Sequence, residues 1–247
     1  MSGSVVLVGA GPGAADLLTV RAVTELQRAD VVLYDRLVAS EVLALIPAGV
    51  ELVDVGKRRG DDQTQERIGE LMVSYALAGR RVVRLKGGDP LVFGRGGEEL
   101  EILARHGIPV EVVPGLTSAV SVPTDIGLPL TLRGVAAGFA VVAGESLSAG
   151  DWARYAGVDT LVVLMGVRRR VEIAHQLIVH GRSPDEASAF IESGTTPRQR
   201  TVVTTLAEIA EKGTDVVAPA VWVTGVVVGA FVSRQIDTFG HQVLLEA

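Results

Sequence analysis

Val83-Arg84-Leu85-Lys86-Gly87-Gly88-Asp89-Pro90-Leu91-Val92-Phe93-Gly94-Arg95-Gly96-Gly97-Glu98-Glu99 is the stretch on which the fold turns. A short apolar run over Arg81 to Leu85 reads as a buried strand, and Glu98 to Arg105 reads as a helix. An ordinary loop between them has no need of glycine at five nearby positions with Asp-Pro in the middle. Bare backbone at Gly87 and Gly88 lets a ligand approach closely. Asp89 is either an acceptor for a hydroxyl or ammonium group or an Asx-turn residue before Pro90. Glu98 and Glu99 open a helix, where acidic residues suit the dipole, and that structural role is preferred for both over catalysis.

The same strand, glycine turn and helix recur outward from this stretch. Val5 to Val8 runs into Gly9-Ala10-Gly11-Pro12-Gly13, and Leu18, Ala22, Val23 and Leu26 follow at helical spacing. Strands are expected over Val31 to Tyr34, Glu51 to Val55 and Val110 to Val113. Ile68, Leu71, Met72, Tyr75 and Ala76 form a helical stripe that Gly79 ends. Apolar strands separated by helices imply a parallel sheet covered on both faces. A helix is expected over Thr117 to Ile126, with a domain boundary between Leu116 and Pro123, giving lobes of residues 1–118 and 119–247.

The second lobe reads less regularly. Strands are expected over Phe139 to Val142, Thr160 to Leu164, Ser188 to Ile191, Thr201 to Thr205 and Ala220 to Thr224, with a helix over Val171 to His180. Gln199 to Thr205 beside Ala220 to Val228 suggests an antiparallel pair. The fold class is therefore α/β: a mostly parallel N-terminal sheet, a mixed C-terminal sheet, and a ligand cleft expected between the lobes.

Composition narrows the function. The chain has 247 residues, 48% hydrophobic and 21% charged, which is a globular balance. It has no cysteine, so a disulfide scaffold, a Cys-ligated zinc and a Cys nucleophile are excluded. His106, His175, His180 and His241 show no metal-ligand spacing, and no metal is expected. A formal net charge of −6 argues against a general nucleic-acid binder. No apolar stretch is long enough to span a bilayer, and the start MSGSVVLVGAGPG reads as a first strand, so a cytoplasmic protein is expected.

Several motifs fall where strands end, the edge that faces the ligand crevice in an open α/β sheet. The Gly9 to Gly13 turn differs from the dinucleotide fingerprint, because Pro12 removes a donor and Ala14 follows Gly13. Asp35, in Tyr34-Asp35-Arg36-Leu37-Val38, is either a carboxylate at the crevice or the cap of a helix starting near Ser40. Gly56-Lys57-Arg58-Arg59-Gly60 is either a solvated turn or a basic loop for a polyanion. Thr117, in Pro114-Gly115-Leu116-Thr117-Ser118, caps a helix or meets a ligand. Gly127 to Arg133, Leu164-Met165-Gly166 and Glu192-Ser193-Gly194-Thr195 are weaker, a lone methionine usually being core filler.

Taken in order and spacing, these motifs resemble the tetrapyrrole methylases, and among them those that methylate carbons of uroporphyrinogen III. The resemblance runs from Val5 to about Val228, and Arg84 to Glu99 is its most specific part, joined by YDRLV and GKR. It implies two α/β lobes that bind S-adenosyl-L-methionine between them, yield S-adenosyl-L-homocysteine, and form a homodimer. It assigns Pro12, Gly87, Gly88, Asp89, Val92, Thr117, Ser118, Met165 and Gly194 to the cofactor. Asp35 becomes the proton acceptor and Lys57 the proton donor. The implied reaction converts uroporphyrinogen III to precorrin-2 by way of precorrin-1, in sirohaem or cobalamin biosynthesis. The fused oxidase and chelatase module of some members has no counterpart in this sequence, so methylation alone is expected. Arg36, Arg58, Arg59, Lys86 and Arg133 are candidate holders of the substrate's carboxylates.

The sequence departs from the family where Leu132 and Glu145 stand in place of the usual His, and Asp125 in place of a common Tyr. Several of these positions, Leu132 and Glu145 among them, are expected on the acceptor side. Methylation of a later precorrin or another tetrapyrrole therefore stands as an alternative, as does a non-catalytic tetrapyrrole- or cofactor-binding protein. Retention of Asp35 and Lys57 speaks against the latter. A nicotinamide oxidoreductase is disfavoured by the N-terminal glycine pattern.

Overall fold

The computed structural model describes residues 3–56 and 65–239, with side chains described as far as residue 233. The chain divides into two compact units, Met1–Thr117 and Ser118–Ala247.

The first unit is a five-stranded sheet of β1 (Ser4–Gly9), β2 (Val31–Tyr34), β3 (Glu51–Asp54), β4 (Arg81–Lys86) and β5 (Val110–Val113), in the order β3-β2-β4-β1-β5. Every pairing is parallel. The connections carry α1 (Val20–Gln27), α2 (Ser40–Leu43), α3 (Gln65–Leu77) and α4 (Gly96–Arg105). Alternation along the strands sorts side chains between two cores, because successive residues face opposite sides. Val5, Leu7, Val31, Leu33 and Val82 pack with Ile68, Met72, Ile102 and Leu103 of α3 and α4. Val6, Val8, Val32, Val83 and Leu85 pack with Ala22 and Leu26 of α1 and Val42 of α2. Burial on both faces explains why these strands read as continuous apolar runs.

The second unit opens with α5 (Ser118–Asp125) and holds β6 (Phe139–Ala143), β7 (Thr160–Leu164), α6 (Arg170–Val179), β8 (Ala187–Glu192), β9 (Arg200–Thr205), α7 (Leu206–Lys212), β10 (Ala220–Gly225) and α8 (Val226–Phe239). The sheet order is β6-β7-β10-β8-β9; β6 and β7 are parallel, and the other pairings are antiparallel. Trp152, Trp222 and Phe190 fill one face with Leu177 and Ile209, and Phe190 stacks on Trp222 at 4.9 Å between ring centroids. The other face carries Val122, Leu128, Ile191, Val223 and Phe231.

The expected pairing of residues 199–205 with 220–228 does not form. Strand β8 inserts between them, bonding β9 from Ala187↔Thr205 to Glu192↔Arg200 and β10 along its other edge. Residues Val226 to Val228 begin α8 instead of extending β10. The physical reason is Gly225, whose φ of +140° and close approach to the Asp159 carbonyl turn the chain out of the sheet.

Candidate functional site

In a parallel sheet every carboxyl end lies along one edge, so the turns after β1, β2, β3, β4 and β5 share that edge. The glycines there pack backbone against backbone. Gly88 donates its N–H to Gly11 O at 2.7 Å, and Gly11 N–H returns to Gly88 O at 3.2 Å. A Cβ on Gly115 would sit 2.2 Å from Gly88 O, and one on Gly9 would sit 2.5 Å from Gly115 Cα. The turns after β1, β4 and β5 thus close on each other with no space for side chains. Gly88 also has φ +67°, a region that side chains with a Cβ rarely adopt.

Asp89 fastens two of these turns. Its Oδ1 accepts from Leu91 N–H at 2.9 Å, making the Asx turn before Pro90, and its Oδ2 accepts from Gly115 N–H at 3.1 Å. Pro12 and Gly87 are half-buried beside this knot, and a Cβ added at Gly87 would come no closer than 3.4 Å to its nearest neighbour, Leu37 Cβ. Leu91, Val92 and Phe93 are exposed, and Phe93 and Arg95 hold φ values of 52° and 57°. A ligand at this edge would meet bare backbone at Gly87, the Pro12 ring and the Val92 side chain. That suits a neutral nucleoside or amino-acid portion better than a phosphate, since Pro12 provides no N–H.

Asp35 follows β2 and continues the face of Val31 and Leu33 past the end of the strand. It does not cap α2, whose N-cap is Ala39. Instead its Oδ1 accepts from Arg84 Nη2 at 2.5 Å, and Asp35 remains 31% exposed. Arg84 also gives Nε to Glu99 Oε1 at 2.9 Å. Glu99 is fully buried, with Lys86 Nζ 2.9 Å from Oε2 and Gln65 Nε2 donating to Oε1 at 2.5 Å. Lys86, expected among the carboxylate holders, is therefore buried and committed to Glu99. Burial first, and then Arg84, pushes its ammonium below the usual lysine range, while Glu99 opposes the shift.

The reading of Glu99 as a helix-dipole residue captures its place in the first turn of α4 but misses these partners. The signal was present: Val82, Arg84 and Lys86 share one face of a strand covered on both sides, and a buried cation needs a buried anion. Arg36 is exposed, and Gly56 backs onto its backbone N at 2.7 Å from an added Cβ. Lys57, Arg58 and Arg59 lie outside the described residues.

In the second unit, Met165 follows β7 with φ +55° and is 43% exposed, so it is not core filler. Gly194 follows β8 and packs onto α5, where an added Cβ would meet Val122 Cγ1 at 2.4 Å. Ser193 and Thr195 beside it also have positive φ, 46° and 62°. Thr117 and Ser118 stand at the start of α5, half-buried. Arg133 is exposed and lines an open hollow of about 500 Å³ with Val135 and Asp159. Leu132 packs on the apolar core, Glu145 pairs with Arg168 at 2.8 Å, and Asp125 accepts from Gln199 at 3.1 Å. Among the described residues, no cluster of three or more His, Asp or Glu is placed to hold a metal. None of the helices described is long and apolar enough to cross a membrane.

The sequence profile described as Tetrapyrrole (Corrin/Porphyrin) Methylases matches residues 4–210. The chain belongs to the tetrapyrrole methylases. It is 49% identical over 231 residues to "Siroheme synthase 2" of Aeromonas hydrophila subsp. hydrophila, covering 92% of this chain and 49% of that protein. The chain thus spans about half the length of the curated relatives it matches. Among solved structures, it is similar to the native uroporphyrin III C-methyl transferase of Thermus thermophilus. The TM-score is 0.83 with 53% identity over 93% of this chain and 100% of that one. The same Thermus thermophilus enzyme complexed with S-adenyl homocysteine gives a TM-score of 0.82 with equal identity and coverage. The α/β fold, with one parallel and one mixed five-stranded sheet, thus matches a solved tetrapyrrole methylase structure.

Proposed function

We propose that the chain transfers methyl groups from S-adenosyl-L-methionine to pyrrole carbons of uroporphyrinogen III, giving precorrin-2 by way of precorrin-1. The observation that carries this reading is Asp35, a half-exposed carboxylate anchored at a sheet edge whose neighbouring turns are bare backbone. Similarity to a uroporphyrin III C-methyl transferase across that protein's whole length supports the choice of acceptor. The relative complexed with S-adenyl homocysteine supports the choice of donor.

S-adenosyl-L-methionine supplies an electrophilic methyl carbon on a sulfonium. In the first unit, Pro12, Gly87, Gly88 and Val92 hold it, and Asp89 fixes the turns that shape this surface. From the second unit, Thr117's neighbour Ser118, Met165 and Gly194 contribute, with Thr117 ending the first. The chain's largest contribution is placing the nucleophilic ring carbon in line, with proton movement following. Each methyl transfer leaves a cationic macrocycle that sheds one proton from a position other than the methylated carbon; Asp35 accepts it, and any proton that Lys57 donates to the macrocycle is matched by a further one lost. Arg36, Arg58, Arg59 and Arg133 bind the acceptor's carboxylates as bidentate partners. A homodimer in the cytoplasm, serving sirohaem or cobalamin synthesis, completes the reading.

The three departures from the family pattern give no reason to change the acceptor. Leu132 fills apolar space, and Glu145 and Asp125 each have a partner in their own unit. Asp35→Asn and Lys57→Met should each lower turnover by ~10²–10⁴-fold, the usual loss for one general acid or base. Calorimetry should find their S-adenosylhomocysteine affinity unchanged. Near-full turnover in both variants would remove them from the chemistry.

A further inference from the structure

The charges below the carboxyl edge of the parallel sheet form one connected set. Arg84 is its joint: Nη2 reaches Asp35 Oδ1 at 2.5 Å and Nε reaches Glu99 Oε1 at 2.9 Å. Its Nη1 points to the carbonyls of Leu85 at 3.3 Å and Leu33 at 3.5 Å. A guanidinium is planar, with donors in a fixed fork, so two carboxylates bound to it are fixed relative to each other. Glu99 is held in turn by Lys86 and Gln65. Arg84, Lys86 and Glu99 of the set are buried, and Asp35 carries it out to solvent. Among the described residues, nothing bonds Asp35 Oδ2.

We propose that Arg84, braced by Glu99 and Lys86, is the positioning residue for Asp35: it pins Oδ1 and leaves Oδ2 presented to take the proton that the macrocycle releases once one of its ring carbons is methylated. The inference rests on the reading of Asp35 as proton acceptor. It goes further in assigning the work of orientation to a side chain that never touches the substrate. Charge alone cannot do this. A lysine at residue 84 would carry the same charge but is a point donor, and it cannot span Asp35 and Glu99 in a fixed plane.

The test is a double-mutant cycle on kcat, using the full chain with uroporphyrinogen III and S-adenosylmethionine. Arg84→Lys should lower kcat on the order of 10- to 100-fold, the scale of a misplaced catalytic group. S-adenosylhomocysteine affinity should stay within twofold (roughly 0.4 kcal/mol). In the Asp35→Asn background the same substitution should change kcat by less than about twofold, because residues acting as a unit are not additive. A structural role would slow both backgrounds by the same factor, and that result would overturn the proposal, as would wild-type kcat in Arg84→Lys. Should Arg84→Lys fail to fold by circular dichroism, Lys86→Met takes its place. It loosens Glu99 from the far side, and its kcat loss should likewise vanish in the Asp35→Asn background. An Asp35→Asn variant that turns over like the wild type would fell the reading of Asp35 and this inference with it. A slow Asp35→Asn with additive effects fells the inference alone.

Discussion

A methyl group added at Gly115 would land 2.2 Å from Gly88 O and 2.7 Å from Gly9 Cα, and both neighbours are backbone. Nothing there can rotate away, so the turns after β1, β4 and β5 must separate. Gly115→Ala should cost about 1–3 kcal/mol of stability, the usual cost of overpacking, and weaken S-adenosylhomocysteine binding at least tenfold by calorimetry. Gly97→Ala is the contrast. It lies in α4 with nothing within 4 Å of an added Cβ, so it should raise stability by about 0.4–1 kcal/mol and leave binding unchanged. Equal effects from the two would show that the packed turns are not what shapes the cofactor surface. A third substitution addresses the departures from the family. Glu145 pairs with exposed Arg168, so Glu145→His should leave the acceptor KM within about twofold of wild type, as surface changes usually do. A steep fall in KM would place Glu145 against substrate carboxylates. At this scale the sequence showed where glycine was required and that Asp35 ended a strand. It did not show what Asp35 bonded, because Arg84, Glu99 and Gln65 meet only through the packing of α3 and α4 on the sheet.

Among the elements, the first unit was legible almost throughout. Its strands are apolar runs between glycine turns, and its parallel order follows from strand–helix alternation. The second unit was harder, since antiparallel partners need not be neighbours in sequence, and β8 pairs on both edges. Helix α7 went unread although its signal is local. Thr205 accepts from Glu208 N–H and Glu208 answers to Thr205 N–H, a capping box spelled Thr-x-x-Glu. The open end of β8 and β9 is tied by Glu192, which takes both Arg200 Nε and Nη2 at 2.8 Å and Val217 N–H at 2.6 Å. The Arg200 bonds, and then the Val217 amide, hold the Glu192 carboxyl below its usual range against the effect of burial. A carboxyl with a lowered folded pKa stabilises above its unfolded value of about 4.3. That stability is lost as pH falls through the folded value. Glu192→Gln should therefore cost about 1.5–3 kcal/mol at neutral pH, the range for hydrogen bonds to charged groups. In urea titrations the difference from wild type should shrink below about pH 4. A difference constant down to strongly acid pH would mean that the charge contributes nothing.

At the scale of the whole molecule, the chain has a net charge of −6, and the acceptor proposed for it is a polycarboxylate. Long-range repulsion opposes its binding, and only a local set of arginines can overcome it. The two effects respond to salt with opposite sign. If contacts with Arg36, Arg133 and the 57–59 segment dominate, the acceptor KM should rise as ionic strength goes from about 0.05 to 0.3 M, where screening shortens to a few ångströms. Affinity for S-adenosylhomocysteine should barely move. A KM that falls with salt would mean that net repulsion governs and that the basic contacts are wrongly assigned. The central claim is transfer of methyl groups to a tetrapyrrole, and one measurement meets it directly. The purified chain is incubated anaerobically with uroporphyrinogen III and S-adenosylmethionine labelled with ¹³C at the methyl, and the product is read by mass spectrometry and carbon NMR. The account predicts label on pyrrole ring carbons, first once and then twice per tetrapyrrole, with S-adenosylhomocysteine released in equal amount. Unlabelled tetrapyrrole recovered alongside intact S-adenosylmethionine would contradict it.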